Sequence, residues 1–208
     1  FDHFFASDQT VFSCGMKICT MTLPIAVPQI KLGELQTSSK GQKSIPISYA
    51  NEAQGDRVFM FPGSKLEVPF NPTAYQQPEA TRLNLCFTPT DEFKSLISAI
   101  DEQIRQQLRP RLKEVFGNQV EELNYHSPLK DAKNGYQHIR TKINLDGKGA
   151  LRCWNSRKQL QAYPEDWTSV SCSPRIWVKS VYIMGKECGL TLECLDISVD
   201  QKQVACPF

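Results

Sequence analysis

Histidine is scarce in this 208-residue sequence, with three in all, and there is no Cys-x-x-Cys pair. Eight cysteines are present, but four residues separate Cys14 from Cys19 and five separate Cys188 from Cys194. Those spacings suit zinc badly, and few histidines could complete a set, so no metal or other cofactor is expected. A nucleophile elbow, a phosphate-binding glycine loop, His-Glu-x-x-His and a paired acidic motif are all missing. His126 or His138 could stand beside a thiol, but this number of cysteines and histidines pairs by chance, so the chain is not expected to be an enzyme. No apolar run approaches the roughly 20 residues of a membrane-spanning helix, and no membrane association is expected. Phe1 to Phe12 carries two aspartates and no basic start, unlike a signal peptide. Cys206 lies third from the end, which does not fit a prenylation box. The first residue is Phe rather than Met, as in a trimmed or processed chain.

What is present describes a folded protein. Hydrophobic residues make up 40% and aromatics 10%, enough for a sizeable core. Cys86, Cys153, Cys172 and Cys194 fall inside strand-like runs, where a free thiol packs as a small hydrophobe. An intracellular, reducing compartment is therefore expected. Net charge is only +2, but residues 125–188 hold 11 Lys/Arg against 5 Asp/Glu, and the remainder holds 13 against 17. That count alone leaves open an oriented basic surface or ordinary unevenness.

Residues 1–42, with two prolines in "LPIAVPQIKLGEL", read as an arm, and 43–208 as a single domain. "KSIPISYA", "RVFMFPGSKLEVPF" and "RLNLCFT" alternate as strands, the second broken by a Pro-Gly turn. One helix is predicted after Thr88-Pro89-Thr90-Asp91, since Phe93, Leu96, Ile97, Ile100, Ile104 and Leu108 recur at helical spacing. Pro110 should kink or end it and Gly117 should stop it. Strands return in "YQHIRTKINL", "ALRCWN" and "SPRIWVKSVYI", then a "MGKECG" turn, where Gly185 and Gly189 read as hairpin geometry, and a last strand. In that strand the apolar face switches around Cys194, from Leu190 and Leu192 to Leu195, Ile197 and Val199, which predicts a β-bulge. The fold class is mainly β with one long helix, in a small barrel or sandwich.

Three strands share a habit. His138, Arg140 and Lys142 lie on one face, as do Arg152 and Trp154, and as do Arg175, Trp177 and Lys179. If these strands are neighbours, the faces merge into a basic surface carrying two indoles. Cations that track phosphates and rings that stack on unpaired bases suit single-stranded nucleic acid. The other reading makes Trp154 and Trp177 core residues with the basic chains snorkelling around them. Alternation alone leaves both open.

The ordered set "KGQKSIPISYANEAQGDRVFMFPGSKLEVPF", "LNLCFTPTDEFKSLISAIDEQI", "YHSPLKDAKNGYQHIRTKINL", "ALRCWN" and "IWVKSVYIMGKECGLTLECLDISV" resembles the single-stranded-DNA-binding proteins of large eukaryotic DNA viruses. It spans about residues 40–200 and departs at "VPFNPTAYQQ", where a Gly is expected after "VPF". The resemblance implies an elaborated OB-fold-like small barrel. It also implies coating of unpaired DNA strands during replication or repair, largely independent of sequence, at the site of DNA replication, in the nucleus or a viral factory. Carried over residue by residue, it points to Arg140, Lys142, Arg152, Trp154, Arg175, Trp177 and Lys179, with Phe59, Phe61, Lys65 and Lys186 as weaker candidates. RNA offers the same stacking and phosphate contacts, so the surface does not separate the two, and self-association stays open. The rival reading is a virion structural protein of jelly-roll type that ignores nucleic acid.

Overall fold

Alternating strands dominate the chain as far as its computed structural model describes it, over residues 29–51, 55–57, 60–62, 65–73, 80–119, 121–132 and 135–201. The first strands are β1 (Ile30–Leu32) and β2 (Gln36–Thr37), both inside the segment read as an arm. Next come β3 (Lys43–Asn51), β4 (Gly55–Arg57), β5 (Met60–Pro62), β6 (Leu66–Glu67) and β7 (Arg82–Phe87). Helix α1 (Asp91–Leu108) passes through a 3₁₀ turn into α2 (Leu112–Phe116). Then follow β8 (Asn124–His126), β9 (Leu129–Asp131), β10 (Gln137–Asn144), β11 (Arg152–Trp154), β12 (Val170–Met184) and β13 (Glu187–Gln201). The main sheet runs β1-β3-β12-β13-β10-β7 and curls into a half-barrel, so the fold is mainly β with one long helix and OB-like.

The helix forms where the sequence places it. Thr90 Oγ1 accepts the Phe93 N–H at 3.2 Å, and Asp91 and Glu92 fill the first turn. Pro110 lies in the 3₁₀ turn Arg109–Arg111, and Gly117 ends α2 at φ +75°. The stripe of Phe93, Leu96, Ile97, Ile100, Ile104 and Leu108 is buried in one core with Ile45, Leu85, Phe87, Ile139, Ile143, Ile176 and Leu192 from the sheet. The helix also closes a sheet edge. Gln103 Oε1 accepts the Ile30 N–H, and Gln107 accepts the Leu32 N–H while donating to the Ile30 carbonyl, each at 3.0 Å. Backbone groups that β1 would present to solvent are thereby satisfied.

The longest pairing is β12 with β13, from Val170↔Gln201 to Met184↔Glu187 around Gly185 and Lys186. Gly185 has φ +61° at the first position of this two-residue turn. The register slips twice. Arg175 faces Asp196 while Ile176 faces Cys194, which leaves Leu195 extra; Val178 faces Leu192 while Ser180 faces Thr191, which leaves Lys179 extra. The first slip is the bulge expected around Cys194. Gly189 is not a turn residue: a Cβ there would lie 2.6 Å from the His126 carbonyl oxygen and 2.7 Å from the Tyr182 ring. Cys86, Cys153, Cys172, Cys188 and Cys194 are buried, and Cys86, Cys153, Cys188 and Cys194 are free thiols. Among the described residues no helix is long and apolar enough to cross a membrane, and no cluster of His, Cys, Asp or Glu is arranged to hold a metal.

One buried carboxylate stands out. Asp101, on the inner side of α1, is 5% exposed and accepts a hydrogen bond from the Tyr125 hydroxyl. Burial pushes the Asp101 carboxyl above the usual carboxylate range, against the opposing pull of Ser127, Tyr125 and Arg105. A raised folded pKa means that the native state holds this proton longer than the unfolded state. Its contribution is therefore favourable at low pH and is lost as pH rises through the folded pKa. Asp101→Asn should melt increasingly later than the parent as pH rises from about 4 toward neutrality, which thermal unfolding across that range would reveal. Gly189→Ala should lose about 1–3 kcal/mol in chemical denaturation, because the His126 backbone cannot move aside as a flexible side chain would.

Candidate nucleic-acid interface

The outer face of the sheet is assembled from strands distant in sequence. Ile139, Thr141 and Ile143 of β10 point into the core, so His138, Arg140 and Lys142 lie outside. The same alternation in β7 buries Leu85 and Phe87 and turns Arg82 and Asn84 outward. In β12 the buried Ile176 and Val178 leave Arg175 and Trp177 on the outer side, and Lys179 Nζ lies 4.9 Å from the centre of the Trp177 ring. β11 runs parallel to β13, with Arg152 beside Asp196 and Trp154 beside Ser198. The three sets read from the sequence thus share one surface. Its two tryptophans are half-buried, whereas the third, Trp167, is 5% exposed and belongs to the core.

Between these sets stands β13, which contributes carboxylates. Asp196 accepts from Arg152 at 2.7 Å and from Trp154 Nε1 at 3.0 Å, and Arg175 lies 3.5 Å away. Burial would raise the Asp196 carboxyl, but the Arg152 and Trp154 hydrogen bonds and the Arg152 and Arg175 charges outweigh it and hold it below its ordinary value. Glu193, 3% exposed, accepts from Lys179 at 2.6 Å and from Asn144 at 2.9 Å, with Arg82 at 3.9 Å. The surface is basic but partly neutralised from within.

Register draws a row across four strands. Asn84 faces Lys142, Lys142 faces Glu193, and Glu193 faces Trp177. The ends of the row carry buried polar atoms without hydrogen-bond partners among the described residues, Asn84 Oδ1 and Trp177 Nε1. Lys142 is half-buried, and burial, then Arg82 and Arg140, pull its ammonium below the ordinary lysine range. Among the described residues neither Lys142 nor Arg140 has a carboxylate partner.

The weaker candidates lie apart. Lys65 is exposed and 3.6 Å from Asp200, toward the β13 C-terminus, and Lys186 stands in the exposed turn at the opposite end of the hairpin. Phe61 lies in β5 opposite Ile176, and Phe59 lies outside the described residues. His138 packs edge-on against Phe70 at 5.8 Å, and burial, then Arg140 and Lys130, lower its basicity. Burial raises the Cys86, Cys153, Cys188 and Cys194 thiols, away from the thiolate a nucleophile needs. Sequence reasoning missed Arg82, Asn84, Glu193 and Asp196. Arg82 and Asn84 were accessible from the alternation in "RLNLCF". Glu193 and Asp196 are three apart, and they share a face only because Leu195 is inserted between paired positions.

No protein-family description matches the chain, and no curated protein matches it. Among solved structures it is similar to the single-stranded DNA-binding protein from bacteriophage Enc34 in complex with ssDNA, at 13% identity over 83% of this chain and 97% of that one, with a TM-score of 0.45. A C-terminal truncation of the Enc34 protein gives 14% identity over 84% and 98%, with a TM-score of 0.44. The bacteriophage T7 single-stranded DNA binding protein gp2.5 gives 9% identity over 69% and 87%, with a TM-score of 0.44. The three structures are of two phage proteins.

Proposed function

We propose that the outer sheet face binds single-stranded DNA, coating unpaired strands during replication or repair with little sequence preference and without catalysis. The observation that carries this reading is the convergence of two half-buried indoles, Trp154 and Trp177, with Arg140, Lys142, Arg152, Arg175 and Lys179 on one surface drawn from three separate strands. Unpaired bases expose the π-faces that indoles can cover, whereas a duplex keeps its bases stacked on one another. Lys and Arg supply attraction to phosphates irrespective of sequence. Phe59, Phe61, Lys65 and Lys186 belong to the periphery of this proposal. Buried free thiols suit a reducing compartment where DNA is replicated. An origin among large eukaryotic DNA viruses rests on the ordered motifs alone and is proposed as such.

Oligo-dT should quench tryptophan fluorescence, and it should bind in preference to a duplex of equal length. Trp177→Ala should weaken oligo-dT binding by roughly 1–3 kcal/mol while melting close to the parent. Equal affinity for duplex would refute the single-strand reading. A Trp177→Ala protein that melts far earlier yet binds normally when folded would remove Trp177 from the site.

A further inference from the structure

Resting on the single-strand reading above, we infer that the phosphates are seated at Arg140 and Lys142, flanked by Arg82, while the indole half of the face is charge-saturated and receives bases. The cations of the face fall into two groups. Arg152 and Arg175 converge on Asp196 at 2.7 and 3.5 Å, and Lys179 is held by Glu193 at 2.6 Å. Arg82 touches Glu193 only at 3.9 Å and is half exposed. Arg140 and Lys142 have no carboxylate partner among the described residues. Arg140 instead lies against the Cys86 thiol, which burial raises and so keeps neutral.

A half-buried ammonium beside two guanidiniums is unfavourable when nothing offsets it, because desolvation and like-charge repulsion act together. Folds relax such arrangements unless a ligand supplies the missing charge, and local violations of this kind concentrate at functional sites.

Charge also sets where the strand runs. Glu193 occupies the middle of the row and cancels the charge of Lys179, so no net positive charge there draws a phosphodiester and the backbone stays on the β7–β10 side. From Lys142 to Trp177 is two strand spacings, about 10 Å. A nucleotide whose phosphate sits at Lys142 therefore extends its base over Glu193 toward the Trp177 ring. The ligand class is a single-stranded polynucleotide with both an accessible phosphodiester and an unstacked base.

The salt dependence of oligo-dT binding separates the two halves. Arg140→Gln and Lys142→Gln should each make the log–log salt slope shallower by about 0.7. Asp196→Asn, which releases Arg152 and Arg175 from their carboxylate, should make it steeper. Lys142→Gln should also melt no earlier than the parent, since it removes a repelled and desolvated charge; a lysine with a purely structural role would do the opposite. A parental slope in both Gln variants, an unsteepened slope in Asp196→Asn, or earlier melting of Lys142→Gln overturns the phosphate seat while leaving single-strand binding intact. A parent chain that binds no oligo-dT at any salt concentration removes the single-strand reading itself, and this inference with it.

Discussion

The registered pairing of β12 with β13 governs both the core and the outer face. Leu190, Leu192 and Cys194 must face inward, and so must Ile197 and Val199, yet the two sets differ in parity. A regular ladder continuing the first set would drive Asp196 into the core and turn Ile197 and Val199 outward, and a buried unpaired carboxylate costs several kcal/mol. Inserting Leu195 resolves the conflict. The same insertion brings Asp196 onto the side of Glu193, so the phasing of apolar residues delivers two carboxylates to a surface otherwise made of cations. Lys179 plays the matching part in the partner strand. As the extra residue there, it reaches both the Trp177 ring and Glu193.

Those carboxylates divide the electrostatics. Asp196 fixes the edge of the Trp154 ring through its N–H and holds two guanidiniums beside it. Glu193 ties Lys179 to Asn144 across the sheet. Exposed pairs such as Arg152–Asp196 add little to stability by themselves. Their effect is on order, because side chains already held in place forfeit less freedom when a ligand arrives, about 0.5–1.5 kcal/mol for each chain otherwise immobilised. On β10 the opposite holds: among the described residues no carboxylate pairs with Arg140 or Lys142.

Much of this was legible in the sequence. The helix followed from its apolar spacing and the Thr90 cap, and the strands from their alternation, because both periodicities are local. The bulge near Cys194 was visible as a change of phase. The same counting set Arg140, Arg152, Arg175 and Trp177 each on one face of its strand, but it left open whether the tryptophans turned outward or into the core. What could not be read was the neighbourhood of those strands. β11 joins β13 in parallel, across more than forty residues of chain, and nothing local announces that pairing. Nor did the sequence reveal that the strand placed between the basic ones is the acidic one. Gly189 was misread for a similar reason. Its constraint comes from His126 and Tyr182, and His126 lies on β8, far away in sequence.

The chain's net charge of +2 is a poor guide to such a surface. A face of unpaired cations alone would attract any polyanion, duplex or single-stranded, and would repel itself when empty. Here the carboxylates of β13 remove most of that repulsion at the indoles and confine the uncompensated charge to β10. Attraction and discrimination then reside in different places. On the single-strand reading proposed above, phosphate attraction would come from a small number of cations, and the choice of a single strand over a duplex from rings that only an unstacked base can cover. Both follow from one cross-strand register, in which Lys142, Glu193 and Trp177 stand side by side.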